Sequence, residues 1–235
     1  MLPNRSHQQQ YAADLSHIGL QGPDQRVLGP MQDDEALLLF ALARTTQVAR
    51  ILEVGGLHGF SAANFMAALR RKQNATFYTL DVDPQAEQGS QHRVITKDAM
   101  NFMPSDIDYN PIDLLFLDCH ARKASQHLLH TLLKHNLLRA DGYVVLHDTG
   151  LHPLPLLPSS VKLPHAELWV HQPVERQLAT WLQTADPSWQ RISLHDDTRK
   201  PFRHGLTIMQ RRVDLSVPRR TSATASGFTR SRSAG

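Results

Sequence analysis

Short apolar runs alternate with amphipathic stretches between residues 33 and 148 of the chain. The apolar runs predict five strands, at residues 51–55, 76–81, 93–96, 112–118 and 142–147. The intervening stretches predict helices at residues 61–72, 84–89, 99–103 and 123–138, and an acidic start at residues 33–35 predicts a helix before them. Such alternation is typical of an α/β fold with a Rossmann-like, doubly wound, mainly parallel sheet and right-handed crossovers.

The pattern changes after residue 148. Four prolines make residues 150–165 an irregular segment, which we interpret as a mobile loop over the site. Regular elements then return as one helix and two strands, predicted at residues 173–182, 189–194 and 205–210. Residues 1–30 are polar and interrupted by glycine and proline, which predicts an irregular N-terminal arm with a short helix near residues 11–17.

Composition fits a single folded domain followed by a basic tail. Of the 235 residues, 41% are hydrophobic and 20% are charged, as in ordinary globular proteins. No apolar run reaches the roughly 18 residues of a membrane span, and residues 1–10 lack the apolar segment of a secretory signal. The single cysteine, Cys119, fits a reducing compartment. We therefore predict a cytoplasmic protein without membrane contact, with its domain at residues 31–212.

The net charge of +3 comes from the C-terminal end of the chain. Residues 211–235 contain six arginines and one aspartate, so the remainder has 19 basic and 21 acidic residues. The composition of the tail, residues 213–235, predicts disorder. Contact with nucleic acid through this tail is one interpretation. A solvated terminus with no specific partner is the favoured one.

A glycine-rich turn follows the first predicted strand. Gly55, Gly56 and Gly59 allow a sharp turn and the close approach of a ligand, and the next helix directs its first N–H groups toward that turn. Asp81 ends the second predicted strand, 22 residues after Gly59. A doubly wound sheet places a ribose-binding carboxylate about 20 residues after its glycines. The spacing therefore predicts a ligand with an adenosine-like ribose.

A glutamate before the turn argues against a dinucleotide. The glycines do not follow the Gly-x-Gly-x-x-Gly spacing of nicotinamide sites, and Glu53 lies two residues before Gly55. A carboxylate at that position repels a pyrophosphate, whereas it attracts the ammonium group of an amino acid. A nicotinamide-dependent oxidoreductase is therefore the poorer alternative.

Residues 51–61, Ile-Leu-Glu-Val-Gly-Gly-Leu-His-Gly-Phe-Ser, resemble motif I of the class I S-adenosylmethionine-dependent methyltransferases. The match is to the catechol and caffeoyl-CoA O-methyltransferase subgroup, whose pattern is Leu-Glu-x-Gly-x-x-x-Gly-[Tyr/Phe]-Ser. The resemblance covers about residues 30–212. It implies about seven strands with an antiparallel C-terminal pair, S-adenosyl-L-methionine as the cofactor, and a methyltransferase domain at residues 31–212.

The resemblance also implies roles for the residues near the turn. Glu53 would meet the ammonium group of the methionine moiety, and Ser61 would lie near its carboxylate. Asp81, with Asp83, would hold the ribose hydroxyls. Asp98 and Ala99 would contact adenine, although Asp98 is an equally good N-cap of a following helix. The predicted cofactor-binding residues are Glu53, Gly55, Gly56, Gly59, Ser61, Asp81, Asp83, Asp98, Ala99 and Asp118.

Two apolar strands each end in aspartate, at Asp118 and Asp148. This resembles the metal site of cation-dependent O-methyltransferases, where two aspartates and a neighbouring asparagine or aspartate hold Mg²⁺ against two substrate oxygens. Hard oxygen ligands suit that ion. The third ligand position here is Thr149, a weaker neutral donor, and the family's lysine is replaced by Ala121. The resemblance thus implies a possible Mg²⁺ site at Asp118, Asp148 and Thr149.

Histidines flank both aspartates, which leaves two mechanisms open. The triplet His147-Asp148-Thr149 is similar to the His-Asp-Thr of sugar- and antibiotic-tailoring methyltransferases. In one mechanism Asp118 and Asp148 bind a divalent cation, and His120 or His147 completes the ligands if the metal is softer than magnesium. In the other, a neutral imidazole oriented by an aspartate takes the hydroxyl proton. The metal route is favoured, with Asp118, His120 and His147 as the candidate catalytic residues.

The favoured function is O-methylation of a small-molecule hydroxyl. One alternative keeps the cofactor but takes RNA or protein as the acceptor through the basic tail. The slight acidity of residues 1–210 and the lack of an aromatic-plus-basic RNA motif count against it. Another alternative is a non-catalytic scaffold of the same fold. Relatives of this kind are often homodimers, but the sequence does not identify a dimer interface.

Overall fold

The computed structural model describes residues 31, 33–57, 59–84, 88–150, 161–162, 169–170, 174–194 and 205–212. Its helices are α1 (Asp33–Thr45), α2 (Phe60–Leu69), α3 (Arg122–Lys134) and α4 (Val174–Ala185). Its first five strands are β1 (Arg50–Val54), β2 (Thr76–Asp81), β3 (His92–Thr96), β4 (Ile112–Leu117) and β5 (Leu138–Leu146). The later strands are β6 (Val161–Lys162), β7 (Trp169–Val170), β8 (Trp189–Leu194) and β9 (Leu206–Arg211).

Seven strands form one mixed sheet in the order β3-β2-β1-β4-β5-β9-β8. Strands β1 to β5 are parallel, whereas β9 pairs antiparallel with both β5 and β8. The predicted α/β fold, doubly wound with an antiparallel C-terminal pair, is confirmed. Because β1 lies between β2 and β4, the turns after these strands meet at one edge of the sheet.

The sheet is buried on both faces, which explains why its central strands are continuous apolar runs. Every residue of β4, Ile112–Leu117, is buried. One apolar cluster, around Leu128 and Leu178, packs α3 and α4 on one face. A second cluster, around Leu39 and Phe65, packs α1 and α2 on the other. The two helical layers hold the sheet edge, and therefore the turns above it, in a fixed geometry.

Several predicted elements differ from the observed ones. The described residues of the predicted helix 84–89 are not helical. The predicted helix 99–103 is a single 3₁₀ turn, Ala99–Asn101, and a second such turn follows at Pro104–Ile107. The prediction that residues 150–165 contain no regular structure is wrong at β6, which pairs with β7. Strand β5 begins four residues before the prediction because its pairing with β4 shifts register between Ile112 and Leu114. Local patterns do not encode such a shift, since it depends on the partner strand.

The predicted N-terminal arm, most of the proline-rich loop and the basic tail lie outside the described residues. The domain boundaries at residues 30 and 213 therefore stay predictions. Within the described part of the chain, no helix combines the length and the apolar character needed to cross a bilayer.

Candidate functional site

A cavity of about 500 Å³ opens at the carboxyl ends of the parallel strands. Its walls come from the turn after β1, the end of β2, the segment after β3 and the ends of β4 and β5. At one end lie Asp81 and Asp98, and at the other lie Asp118, His120 and Asp148. The volume is within the range of small-molecule and cofactor sites.

The glycines after β1 are required by close backbone contacts. Gly55 has φ of 90°, and a Cβ there would lie 2.4 Å from the backbone oxygen of Asp118. At Gly56 a Cβ would lie 2.4 Å from the Thr79 side chain. Gly59 has φ of 76° and precedes α2. Glycine is therefore strictly required at Gly55, and it is favoured at Gly56 by the nearby side chains and at Gly59 by the left-handed backbone.

Asp81 ties the end of β2 to the turn after β1. One of its carboxylate oxygens accepts the backbone N–H of Leu57 at 2.9 Å, and the other accepts that of Asp83 at 2.9 Å. The carboxylate therefore has a fixed orientation at the cavity wall, while each oxygen retains a lone pair for a ligand hydroxyl. Asp83 contributes its backbone to this arrangement.

Glu53 lies beneath the turn, fully buried at the end of β1. Its carboxylate accepts the hydroxyls of Ser61 and, at 2.9 Å, of Thr79. Burial raises the pKa of Glu53 to about 7, against the lowering effect of these hydrogen bonds. Ser61, rather than Glu53, reaches the cavity wall. The predicted contact between Glu53 and an ammonium group stays a prediction.

Asp98 is an N-cap, which is one of the two roles that the sequence predicts for it. Its Oδ1 accepts the backbone N–H of Met100 at 2.8 Å at the start of the first 3₁₀ turn. Asp98 and Ala99 also line the cavity next to Lys97. Both residues are therefore positioned to contact a ligand that extends from Asp81 along this wall.

His147, at the end of β5, lies between two carboxylates. Its Nδ1 is 3.2 Å from Oδ1 of Asp118, and its Nε2 donates to Oε2 of Glu35 at 3.2 Å. The other oxygen of Glu35 accepts the backbone N–H of Gly205 at 2.8 Å. Glu35, on α1, and His147 are both buried. These contacts fix the plane of the imidazole ring.

His120, just after β4, has a similar pair of neighbours. Its Nε2 is 3.3 Å from Oδ2 of Asp148, and its Nδ1 is 3.3 Å from Oε1 of Glu175 on α4. The same oxygen of Glu175 accepts the backbone N–H of His120 at 2.9 Å. His120 and Asp148 have left-handed backbones, with φ of 50° and 53°. Non-glycine residues seldom adopt this conformation, and it is concentrated at functional sites.

The carboxylates control the charge of both imidazoles. Burial alone lowers the pKa of His120, but Glu175, Asp118 and Asp148 outweigh it and raise that pKa to about 9. For His147, burial is likewise opposed by Asp118, Glu35 and Asp148, which raise its pKa well above the ordinary value. At pH 7 His120 is therefore mainly a positively charged imidazolium. An imidazolium cannot act as a general base until it loses a proton.

Three potential metal-binding side chains converge at this end of the cavity. Asp118, His147 and Asp148 each offer one ligand atom, and these atoms all lie within 4.8 Å of one another. Thr149 has a different environment: it is fully buried, and its hydroxyl accepts that of Thr207 at 2.9 Å. The prediction of Thr149 as a metal ligand stays untested.

Sequence reasoning missed Glu35 and Glu175. Both are fully buried, although each occupies the first turn of a helix, where an exposed carboxylate is the ordinary expectation. For Glu175, its position among the buried residues of the amphipathic helix α4 was an available signal. For Glu35, the acidic run at residues 33–35 gave no sign that the Glu35 side chain is buried.

Comparisons with known proteins agree with this geometry. Residues 52–149 match a protein family described as a methyltransferase domain. Comparison with curated protein sequences gave no match. The SAH-bound methyltransferase PaMTH1 of Podospora anserina has a similar structure, with 18% identity and a TM-score of 0.57, over 91% of this chain and 99% of that chain.

Two further solved structures are similar. One is the SAM-bound O-methyltransferase TomG of Streptomyces achromogenes, involved in tomaymycin synthesis, with 18% identity and a TM-score of 0.53 over 86% of this chain and 88% of that chain. The other is an O-methyltransferase of Bacillus cereus in complex with SAH, with 13% identity and a TM-score of 0.51 over 90% and 93%. At these identities the shared property is the fold.

Proposed function

We propose that this chain is a class I S-adenosylmethionine-dependent methyltransferase, and that it methylates a hydroxyl of a small molecule with the help of a divalent cation. The observation that carries the proposal is the layout of the cavity. Carboxylates suited to a nucleoside lie at one end, and two aspartates with two histidines lie at the other. One cavity can therefore hold the methyl donor and its acceptor side by side.

The glycine turn and Asp81 support the placement of the donor. The carboxylate of Asp81 is oriented by the N–H groups of Leu57 and Asp83, so it can accept both hydroxyls of a ribose. Ser61 lies in the first turn of α2 and lines the cavity, where a helix N-terminus favours a carboxylate. Two structurally similar proteins bind SAH or SAM in their solved structures, which agrees with this ligand class.

The residues after β4 and β5 fit a divalent cation. Asp118 and Asp148 supply carboxylate oxygens, and His147 supplies an imidazole nitrogen. These ligand atoms all lie within 4.8 Å of one another. When bound, such a cation lowers the pKa of an acceptor hydroxyl and orients its oxygen. Asp118 would hold the cation on the donor side, because Asp118 lies next to the start of the glycine turn. The backbone N–H of Asp118 donates to the backbone oxygen of Val54, the last residue of β1, at 2.9 Å.

The protein's own contribution is positioning. Methyl transfer is a single displacement, so the acceptor oxygen must lie in line with the methyl group and the departing sulfur. Glu35 and Glu175 hold the imidazoles of His147 and His120 against the two aspartates, which limits the movement of all four groups. His120 is 31% exposed in its side chain and faces the cavity, so it is the group placed to exchange a proton with an acceptor.

The test measures donor binding and product formation separately. Calorimetry with S-adenosylhomocysteine is expected to give one site per chain, and loss of that binding in Asp81→Ala would support the placement of the ribose. Purified protein with S-adenosylmethionine, a divalent cation and a panel of catechols, phenols and sugar alcohols is then assayed by mass spectrometry for a gain of one methyl group. Donor binding with no methylated hydroxyl across the panel would oppose the proposed acceptor class, and absence of donor binding would oppose the whole proposal.

A further inference from the structure

We propose that the cation is ligated by Nδ1 of His147 together with the carboxylates of Asp118 and Asp148, so that the site selects a transition metal over Mg²⁺. The inference rests on the proposed cation-assisted function, and it names the ion class and the third ligand. It assigns to His147 the ligand role that the resemblance gives to Thr149. The metals in question are Mn²⁺, Co²⁺ and Zn²⁺.

Two distances between the ligand atoms are close to those around a cation. Nδ1 of His147 is 3.2 Å from Oδ1 of Asp118 and 3.6 Å from Oδ1 of Asp148. Neighbouring ligands at about 2.1 Å from a cation are about 3 Å apart. All three side chains offer ligand atoms within 4.8 Å of one another, so they can converge on a single cation.

The second nitrogen of the ring is held as in metal-bound histidines. Such residues ordinarily donate their other ring N–H to a carboxylate, which fixes the tautomer and the ring plane. His147 donates from Nε2 to Glu35, and Glu35 is itself held by the backbone N–H of Gly205 at the start of β9. A cation that binds at Nδ1 would displace the proton there, while the N–H at Nε2 stays on Glu35 and the lone pair of Nδ1 faces the aspartates. Glu35 is thus a positioning residue for the ligand.

The donor atoms determine which metal is preferred. Mg²⁺ binds oxygen ligands and retains water, whereas an imidazole suits first-row transition metals. The hydroxyl of Thr149 is directed to Thr207 of β9, whereas Nδ1 of His147 faces the two aspartates. The three side chains that converge within 4.8 Å therefore offer two carboxylate oxygens and one imidazole nitrogen. Such a set favours Mn²⁺, Co²⁺ or Zn²⁺ over Mg²⁺.

The test measures metal binding by the full chain after removal of bound ions with a chelator. Calorimetry is expected to give one site per chain, with Co²⁺ and Mn²⁺ at least about tenfold tighter than Mg²⁺. Pulsed electron paramagnetic resonance of the Mn²⁺ complex is expected to show coupling to a directly bound histidine nitrogen. His147→Gln should lose that coupling, whereas His130→Gln, on the exposed face of α3, should retain it.

Because His147 is buried, the variant could fail to fold. Unmodified protein labelled with ¹⁵N-histidine supplies the second measurement: the Mn²⁺ spectrum should change with the label. Absence of nitrogen coupling there, or equal affinity for Mg²⁺ and Mn²⁺, would overturn the inference. Methyl transfer supported by Mg²⁺ in such protein would leave the proposed function standing. Conversely, nitrogen coupling without methylation of any hydroxyl would support the metal assignment while opposing the proposed acceptor.

Discussion

Nε2 of His147 lies 3.2 Å from Oε2 of Glu35, although the two residues are 112 positions apart in the chain. Neither side chain has appreciable contact with solvent. The pair connects α1, on one face of the sheet, with the end of β5 at the cavity. Burial of these polar groups is tolerated because each hydrogen-bonds to the other, and Glu35 has a second donor in Gly205. The candidate catalytic end of the cavity is therefore anchored in the helical layer.

Glu35→Gln is expected to weaken both the fold and the cation site. The amide keeps the size of the carboxylate but offers one acceptor for two donors, the N–H groups of His147 and Gly205. We expect the free energy of unfolding to fall by about 1–3 kcal/mol and cation affinity to fall about 10- to 100-fold. Urea denaturation and calorimetry measure the two effects. Asp108→Asn, at a surface ion pair with Arg93, is the control, and wild-type cation affinity in Glu35→Gln would contradict the role of Glu35.

Asp148→Asn is expected to impair methyl transfer without loss of the donor. Asp148 lies at the acceptor end, 3.3 Å from His120, whereas Asp81 and Asp98 lie along the opposite wall. We expect turnover to fall at least about 100-fold, as on loss of one electrostatic partner of a reacting group. Affinity for S-adenosylhomocysteine should change little. Asp141→Asn, next to Arg139 on the exposed part of β5, should resemble the wild type in both assays.

Gly55→Ala is expected to distort the donor site. Its φ of 90° disfavours any side chain, and the new Cβ would lie 2.4 Å from a backbone oxygen that cannot move independently. We expect a loss of about 1–3 kcal/mol in stability together with loss of S-adenosylhomocysteine binding. Gly89→Ala is the matched control, since its Cβ would approach no atom closer than 3.9 Å. Thermal unfolding and calorimetry of both variants provide the comparison.

Glu53 should make stability depend on pH near neutrality. Its folded-state pKa, raised by burial to about 7 from an ordinary value of 4.5, means that the folded protein retains a proton which the unfolded chain releases. The contribution is therefore complete below pH 4.5 and is lost as the pH rises through 7. Between pH 5 and 8 the wild type should lose about 2–3 kcal/mol more stability than Glu53→Gln. Parallel urea titrations across that range measure the difference, and identical slopes would contradict it.

Removal of residues 213–235 separates small-molecule from nucleic-acid acceptors. The segment contains four arginines, Arg219, Arg220, Arg230 and Arg232. Because the remaining residues 1–212 have no excess of basic over acidic side chains, with 21 of each, a small-molecule enzyme should keep its turnover after the truncation. An RNA-directed enzyme should lose affinity and the steep salt dependence that counterion release produces. Turnover and RNA binding at 50 and 200 mM salt distinguish the two.

Local spacing was sufficient to predict much of the fold. Strands β1, β2 and β4 follow from apolar runs, because a strand buried on both faces needs an apolar side chain at nearly every position. The glycine turn could also be predicted from the sequence, since only glycine tolerates the φ of Gly55 and the proximity of Asp118. The positions of Asp118 and Asp148 at neighbouring strand ends followed from the parallel order of β4 and β5.

The sequence alone thus determined the sheet, the turn and the two aspartates at its edge, because each depends on residues close together in the chain. The tertiary structure decided which groups control the histidines: Glu35 and Glu175 reach them from helices on opposite faces of the sheet. It also directed Thr149 toward Thr207 and His147 toward the aspartates. The physical reason is that helix packing and the β5–β9 pairing select these partners. Both are contacts between segments far apart in the chain, and no local sequence pattern encodes them.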